Sequence, residues 1–437
     1  MKKIPILTCL FLVCFAANAQ PKSLYAVDPS LSAGTATIVR NWGTSRVIAY
    51  YEIGGKQNID MLESTSTTIH RATLPEHLFL KDIFVDNGIA YFCGSSTEFV
   101  TYSVGIIGYF NLADLLTSNV NFHYICNSDV TSVNKLVEYK NGGASHVVAL
   151  GERRWVVAPY SYIRHFVIDC PDIVNPVPVP YTTAPFTADE RYFDMVLTDN
   201  FVAFTGYNIV TALNAICMRK CLRGATFGGV IDTMHYYPTK TTEAYSKMHS
   251  TRLFDDQCAT SYLYIDTGPK TRIRTLDVAT NAITHSQQFD MPDKSEPKEM
   301  VFVPNHKKIV MLEDFQAPSG NSYSNFVDII PWATSAYITD LENKPGAWFN
   351  SLTEIDNHCF IAGKGTEWFF RDKNYSPTGT PDPDCPTVEA IRVYPIDTID
   401  HASTYSPLTP SPGAYYPTVI PAGVFSPGIM SKICRNN

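Results

Sequence analysis

The sequence is poor in charge and poorer still in helical pattern. Only 17% of its residues are charged, and 42 acids against 34 bases leave a formal charge of −8. No basic stripe is left over for a polyanion, so nucleic acid is not an expected partner. After Gln20 the three-and-four apolar spacing of amphipathic helices is missing, apart from a short stretch at Leu112–Leu116, and this excludes helical architectures. No apolar run beyond the first residues approaches the roughly 20 needed to span a bilayer. The familiar catalytic signatures are missing too: no His-Glu-x-x-His, no Gly-x-Ser-x-Gly, no phosphate loop and no Gly-x-Gly-x-x-Gly. What remains plentiful is Tyr and Phe, 25 and 24 copies, which suit half-buried strands.

The first residues have the layout of a secretory leader. Lys2 and Lys3 precede an apolar run from Ile4 to Ala16, and Ala17-Asn18-Ala19 is a small-residue site where cleavage is expected. This predicts a chain exported across the inner membrane to the periplasm, outer surface or exterior. Cys14 follows Val13 rather than a small residue, so lipidation is not expected there. Nine of the 11 cysteines lie beyond the leader, an odd number at scattered spacing, unlike a disulfide framework. Cys93 and Cys359 fall in apolar strand patterns, where cysteine acts as a small hydrophobe. Cys217 and Cys221 lack the second ligand pair of a zinc site, and Asp382 and Asp384 lack the further oxygens of a calcium loop, so no metal or cofactor is expected.

A repeat organises the rest. A polar residue opens an apolar strand, an Asp/Asn/Gly turn follows, and a second apolar strand ends in glycine. Asp82 leads through Asp86-Asn87-Gly88 to Gly94. Asp194 leads through Asp199-Asn200 to Gly206, and Ser351 through Asp356-Asn357 to Gly363. In all three the glycine falls twelve residues after the polar position. Weaker copies start at Lys135, Arg252 and Glu299, with a degenerate one at Thr37. The turn dipeptides supply the positive φ that tight hairpins require, so the flanking runs are read as paired antiparallel strands. Two further strand-like runs complete each unit, and a four-stranded sheet with two apolar faces must stack on its neighbours.

This organisation resembles secreted β-propellers of kelch- or WD40-like architecture, although the Trp-Asp and Gly-Gly signatures of those families are missing. The resemblance implies an all-β fold of about seven four-stranded blades, with six or eight as neighbouring possibilities. A β-sandwich array is the competing architecture. The approximate blades are 30–75, 76–127, 128–187, 188–245, 246–295, 296–345 and 346–400, with 401–437 as a closing segment. Val388–Tyr394 is read as an outer strand of the last blade. A strand near Tyr25–Val27 or Thr418–Phe425 is expected to seal the ring.

In such a ring the first strand of each blade lines a channel. Asp82, Lys135, Asp194, Arg252, Glu299 and Ser351, with Thr37, should then share one level at its mouth. The loops between second and third strands, carrying Trp155, Tyr160 and Trp368, are expected on the same face. Convergent charges in a concavity and aromatic residues on rigid loops are both marks of binding sites. The expectation is a binding or interaction scaffold for a glycan or a protein. The alternative is a carbohydrate-active enzyme using carboxylates at the channel mouth, and a structural role in a surface assembly is a third reading.

Overall fold

The computed structural model describes residues 23–26, 35–43, 46–53, 56–63, 70–98, 103–117, 119–157, 160–175, 181–209, 215–224, 235–237, 248–265, 269–288, 294–303, 308–316, 322–329, 336–342, 348–355, 358–364 and 390–395. The leader, Trp368, the Pro-rich stretch 374–389 and the segment 401–437 lie outside the described residues.

The described chain is all-β. A first strand, β1 (Ser23–Ala26), is followed by β2 (Thr35–Trp42), β3 (Arg46–Ile53), β4 (Lys56–Glu63) and β5 (His70–Thr73), paired in that order. The next sheet is β6 (Leu78–Asp86), β7 (Ile89–Ser96), β8 (Val104–Asn111) and β9 (His123–Asn127), with one helical turn, α1 (Leu112–Leu115), between its last two strands. Then come β10 (Ser132–Asn141), β11 (Ala144–Val157), β12 (Tyr160–Cys170) and β13 (Thr182–Pro185), and β14 (Glu190–Leu197), β15 (Phe201–Asn208), β16 (Ala215–Leu222) and β17 (His235–Tyr237). The pattern repeats in β18 (Met248–Arg252), β19 (Gln257–Ile265), β20 (Pro269–Asp277) and β21 (Ala282–Gln288). It repeats again in β22 (Lys294–Val303), β23 (Lys308–Gln316), β24 (Ser322–Ile329) and β25 (Ala336–Glu342). Last are β26 (Trp348–Ile355), β27 (His358–Lys364) and β28 (Ala390–Pro395), and β28 pairs β27 on one side and β1 on the other. A single bridge, Thr35 to Lys364, ties this group to β2.

Stacking follows from apolar faces that no sheet can cover alone. Ile48, Ile59 and Met61 of the β2–β5 sheet share a core with Phe92, Ile106 and Phe110 of the next. Tyr91 and Ile107 then pack against Val147 and Ile168, and Val148 and Val167 against Tyr192 and Phe204. Ala203 and Met218 meet Tyr262 and Leu276, while Ala259 and Ile273 meet Met300 and Met311. Each cluster therefore joins consecutive sheets. Polar clasps reinforce the stack at the hairpin turns. Asp256 accepts from the backbone N–H and side-chain amide of Asn200, both at 2.8 Å, and from the Thr198 hydroxyl at 2.9 Å. Burial opposes the Asp256 charge, but these donors outweigh it and its pKa lies below the ordinary carboxylate value.

The thiols of Cys93, Cys126, Cys170, Cys217, Cys221 and Cys258 are free. Burial pushes Cys170, Cys217, Cys221 and Cys258 up to about 12, which suits packing and not reactivity. Among the described residues no His, Cys, Asp or Glu side chains gather in a group able to hold a metal ion, and no helix is long and apolar enough to cross a membrane.

His165 on β12 makes the fold sensitive to acid. It is 4% exposed, and its Nδ1 has no hydrogen-bond partner. Burial, helped by Arg191 and Arg154 and opposed by Glu152, lowers its pKa from 6.5 to about 4. Because the folded pKa is depressed, this stability is complete above the unfolded value and is lost as pH falls through the folded one. We expect the unfolding free energy of the protein to fall by about 3 kcal/mol more than that of His165→Gln between pH 7 and pH 4. Urea titrations across that range measure the difference. Parallel pH curves for the two proteins would exclude a buried neutral His165.

Candidate functional site

The candidate site is built where the first strands of successive sheets face one another. A bulge recurs in these strands, between Ala36 and Ile38, Leu80 and Asp82, Val133 and Lys135, Tyr192 and Asp194, Pro297 and Glu299, and Phe349 and Ser351. The residue after each bulge takes the same place, so Ile38, Asp82, Lys135, Asp194, Glu299 and Ser351 form one tier. Among the described residues of β18, Met248–Arg252, no bulge occurs, and a bond from a backbone N–H to a side chain sets the register. The Ser250 N–H donates to Asp194 Oδ2 at 2.7 Å, as the Leu136 N–H does to Asp82 Oδ2 at 3.5 Å. His249 therefore stands level with Lys135.

Five of the seven residues expected to share a level do so; Arg252 and Thr37 do not. Arg252 lies three residues beyond His249 at the exposed hairpin end, where it pairs with Asp199. It stands only three residues before Asp255, the turn residue at φ 52°, whereas Asp82 stands five before Asn87, the equivalent turn residue of β6–β7, and this puts Arg252 at the hairpin end. Thr37 is likewise replaced, being the bulged residue itself, and Ile38 takes the place.

The tier is a network of ion pairs, and its hub is a residue that the repeat does not reveal. Arg40 reaches across from β2, its Nη2 2.6 Å from Asp82 Oδ1 and its Nη1 2.9 Å from Glu299 Oε1, while Nε donates to the Ile83 carbonyl at 2.7 Å. The Ser351 hydroxyl donates to the other Glu299 oxygen. Asp194 accepts from the Met195 and Ser250 N–H groups, and Lys135 Nζ lies 3.6 Å from its Oδ1. Burial works against the charge on Lys135, but Asp194, Asp82 and Glu299 outweigh it, so the ammonium is held more firmly than in an ordinary lysine. Arg40 is likewise disfavoured by burial and more than restored by Glu299 and Asp82. For Asp194 burial wins over Lys135 and the two backbone donors, and its pKa is raised.

This network floors a cavity of about 340 Å³. Two residues beyond the tier, on the same strands, Arg40, Phe84, Val137, Val196, Thr251, Val301 and Thr353 line its wall. Side chains two apart on a strand share a face, so this collar is the direct consequence of the register below it. The lining continues through Thr251, Arg252, Val301 and Thr353 into a second hollow of about 560 Å³ that also touches Asn41, Asp199, Phe254, Asp255 and Phe302. Phe254 meets Phe302 edge to face there, 4.9 Å between centroids.

The hollow therefore opens toward the first hairpin turns. The loops between second and third strands stand at the other end, because Ser96 closes β7 opposite Leu78 at the start of β6. Trp155 sits in the extension of the β11–β12 hairpin, opposite Tyr162, with the Arg153 guanidinium over its ring at 5.3 Å. It is not in the wall of either hollow. Tyr160 begins β12 beside that extension, opposite Val157. The charged tier and the aromatic loop are thus two places and not one.

A second polar cluster has the composition of a Ser–Lys dyad. Lys140 Nζ is 2.6 Å from Ser145 Oγ, which accepts from Tyr91 at 2.9 Å. Burial lowers the pKa of Lys140, but its bonds to Glu138 and Tyr91 raise it further, so the amine stays protonated and is no base for the buried Ser145. It fastens one sheet to the next.

Consecutive four-stranded antiparallel sheets, packed face to face with their first strands around a shared cavity, define a β-propeller. No protein-family model matches the sequence, and no curated protein matches it. Solved structures similar to it include a prolyl endopeptidase, at 10% identity over 84% of this chain and 48% of that one with a TM-score of 0.48. Another is a Mycobacterium tuberculosis puromycin-hydrolyzing peptidase, at 11% identity over 80% and 53% with a TM-score of 0.49. The β-propeller domain of the Trilobed protease from Pyrococcus furiosus matches at 8% identity over 77% and 90%, with a TM-score of 0.46. The chain spans about half the length of the first two.

Proposed function

We propose that the chain is a seven-bladed propeller in which β1 completes the last blade beside β28, and that it works as a binding scaffold whose ligand, a glycan or a protein segment, enters the hollow from the hairpin-turn side. The observation that carries the reading is the graded cavity: seven strands from β2 to β26 contribute to one collar above a floor of ion pairs. A concavity of this size with a few fixed polar groups is the usual form of a ligand site. Closure by β1 is supported by its pairing with β28, through Tyr25 to Ile391 and Ala26 to Ala390.

The test is a screen of glycan and peptide arrays with the protein, repeated with Lys135→Ala combined with Asp194→Ala. Binding that falls at least about tenfold while the melting transition persists is the expected outcome, since one lost charged hydrogen bond is worth that much. Retained binding together with a lost melting transition would assign the floor to stability alone. The enzymatic alternative rests on Asp194, whose raised pKa is the condition of a general acid. Turnover of an aryl glycoside that Asp194→Asn abolishes would move the assignment to catalysis.

A further inference from the structure

We infer that the occupant of the cavity is an uncharged, apolar stretch of polypeptide, entered as an internal loop and not as a chain end, with one backbone carbonyl accepting from Lys135. The inference rests on the binding reading above and narrows it to a ligand class.

The floor sets the charge. Arg40 and Lys135 face Asp82, Asp194 and Glu299, two cations against three carboxylates. Each carboxylate already has donors: Asp82 has Arg40 and two backbone N–H groups, Asp194 has two backbone N–H groups, and Glu299 has Arg40 and the Ser351 hydroxyl. A ligand amine would have to share carboxylates that already accept two or three hydrogen bonds each, beside the Arg40 and Lys135 cations. A ligand carboxylate would add a fourth negative charge beside three, and like charges repel. Lys135 is different. Its one contact is the ion pair at 3.6 Å, beyond hydrogen-bond distance, and its side chain is 22% exposed. Three N–H donors thus point from the floor with nothing within bonding reach among the described residues. A neutral carbonyl oxygen accepts from one of them without changing the charge.

The collar sets the polarity. Phe84, Val137, Val196 and Val301 present hydrocarbon; Arg40 is engaged by Asp82, Glu299 and the Ile83 carbonyl, and Thr251, Thr353 and, at the rim, Arg252 supply the other polar groups. A sugar ring laid on the hydrocarbon part of this wall would leave hydroxyls unpaired there, which is costly. Apolar peptide side chains lose nothing there. Phe254, 38% exposed beside Phe302, extends the same surface to the mouth.

The experiment uses the full chain and three probes by titration calorimetry: the blocked peptide acetyl-Gly-Leu-Val-Gly-amide, its free-acid form, and chitotetraose. The blocked peptide should bind, and the free acid about tenfold more weakly, a margin equal to one modest charge repulsion. Lys135→Met should weaken the blocked peptide about tenfold by removing the donor. Thr251→Val, nearly isosteric and outside the ion-pair floor, should strengthen it. Free acid binding better than amide would overturn the charge argument. Chitotetraose binding without peptide binding overturns this inference while the scaffold reading stands, and binding of none of the three tells against both.

Discussion

Gly206→Ala should destabilise the protein by more than about 3 kcal/mol, a backbone collision and not a loss of contacts. Gly206 lies opposite Tyr192, directly beside the bulge that brings Asp194 into the tier. The bulge drives the facing strand so close that a Cβ at Gly206 would overlap the Arg191 carbonyl oxygen and stand 2.8 Å from Tyr192 Cα. Neither atom belongs to a flexible side chain, so the strand must separate or the bulge must be lost. Gly94 repeats the geometry against Phe79 and Leu80, with the Leu80 Cα at 2.9 Å, and Gly94→Ala should behave alike. Gly88 is the control. It sits at φ +80° in the turn with nothing within 4 Å of a Cβ, so Gly88→Ala carries only a conformational cost of about 1 kcal/mol. Urea unfolding of the three variants decides the matter. If Gly206→Ala and Gly88→Ala shift the midpoint equally, the close approach is not what holds these glycines in place.

The same bulge explains how much of the site can be read from the sequence. The twelve-residue interval from Asp82 to Gly94, Asp194 to Gly206 and Ser351 to Gly363 is the distance around a hairpin from the residue that follows the bulge to the glycine facing the residue that precedes it. One geometric demand fixes both ends, and the interval survives in the chain as a visible signal. Arg40 leaves no such trace. In β2 the tier position holds Ile38, and the charge that completes the network comes from the next residue on that face, reaching down from the collar. Only a long, planar, five-donor side chain can serve Asp82, Glu299 and the Ile83 carbonyl at once. His249 was hidden by the turn: it stands six residues before Asp255, whereas Asp82 stands five before Asn87, the equivalent positive-φ residue, so equal counting back from the two turns misses it. The open end of the cavity was illegible as well. Alternation along a strand assigns side chains to faces but carries no information about which end of the strand is open.

Arg40→Met should cost about 3–5 kcal/mol, the penalty for stranding buried carboxylates, and not the fraction of a kcal/mol typical of a surface pair. Asp82 and Glu299 are 8% and 16% exposed at their side chains, and Arg40 is 20% exposed. Met has similar length and apolar bulk, so the loss reports charge and hydrogen bonds more than volume. Asp82 keeps the Ile83 and Leu136 N–H groups and Glu299 keeps the Ser351 hydroxyl, which holds the cost below that of a fully unpaired charge. Adding Asp82→Asn to Arg40→Met removes one stranded charge, and the double variant should regain at least about 1 kcal/mol, the coupling expected of residues in one network. Arg40→Lys keeps the charge but not the fork, so it should fall between wild type and Arg40→Met. The consequence reaches further than one sheet, because the guanidinium joins β2, β6 and β22, segments that are 42 and 259 residues apart at its two carboxylate partners. Loss of Arg40 should therefore loosen the docking of the first sheet before the others melt. Hydrogen exchange would register this as early opening of β2 to β5 with β10 to β17 still protected. Uniform loss of protection across all the sheets would mean that Arg40 contributes to global stability without bracing β2 against β6 and β22.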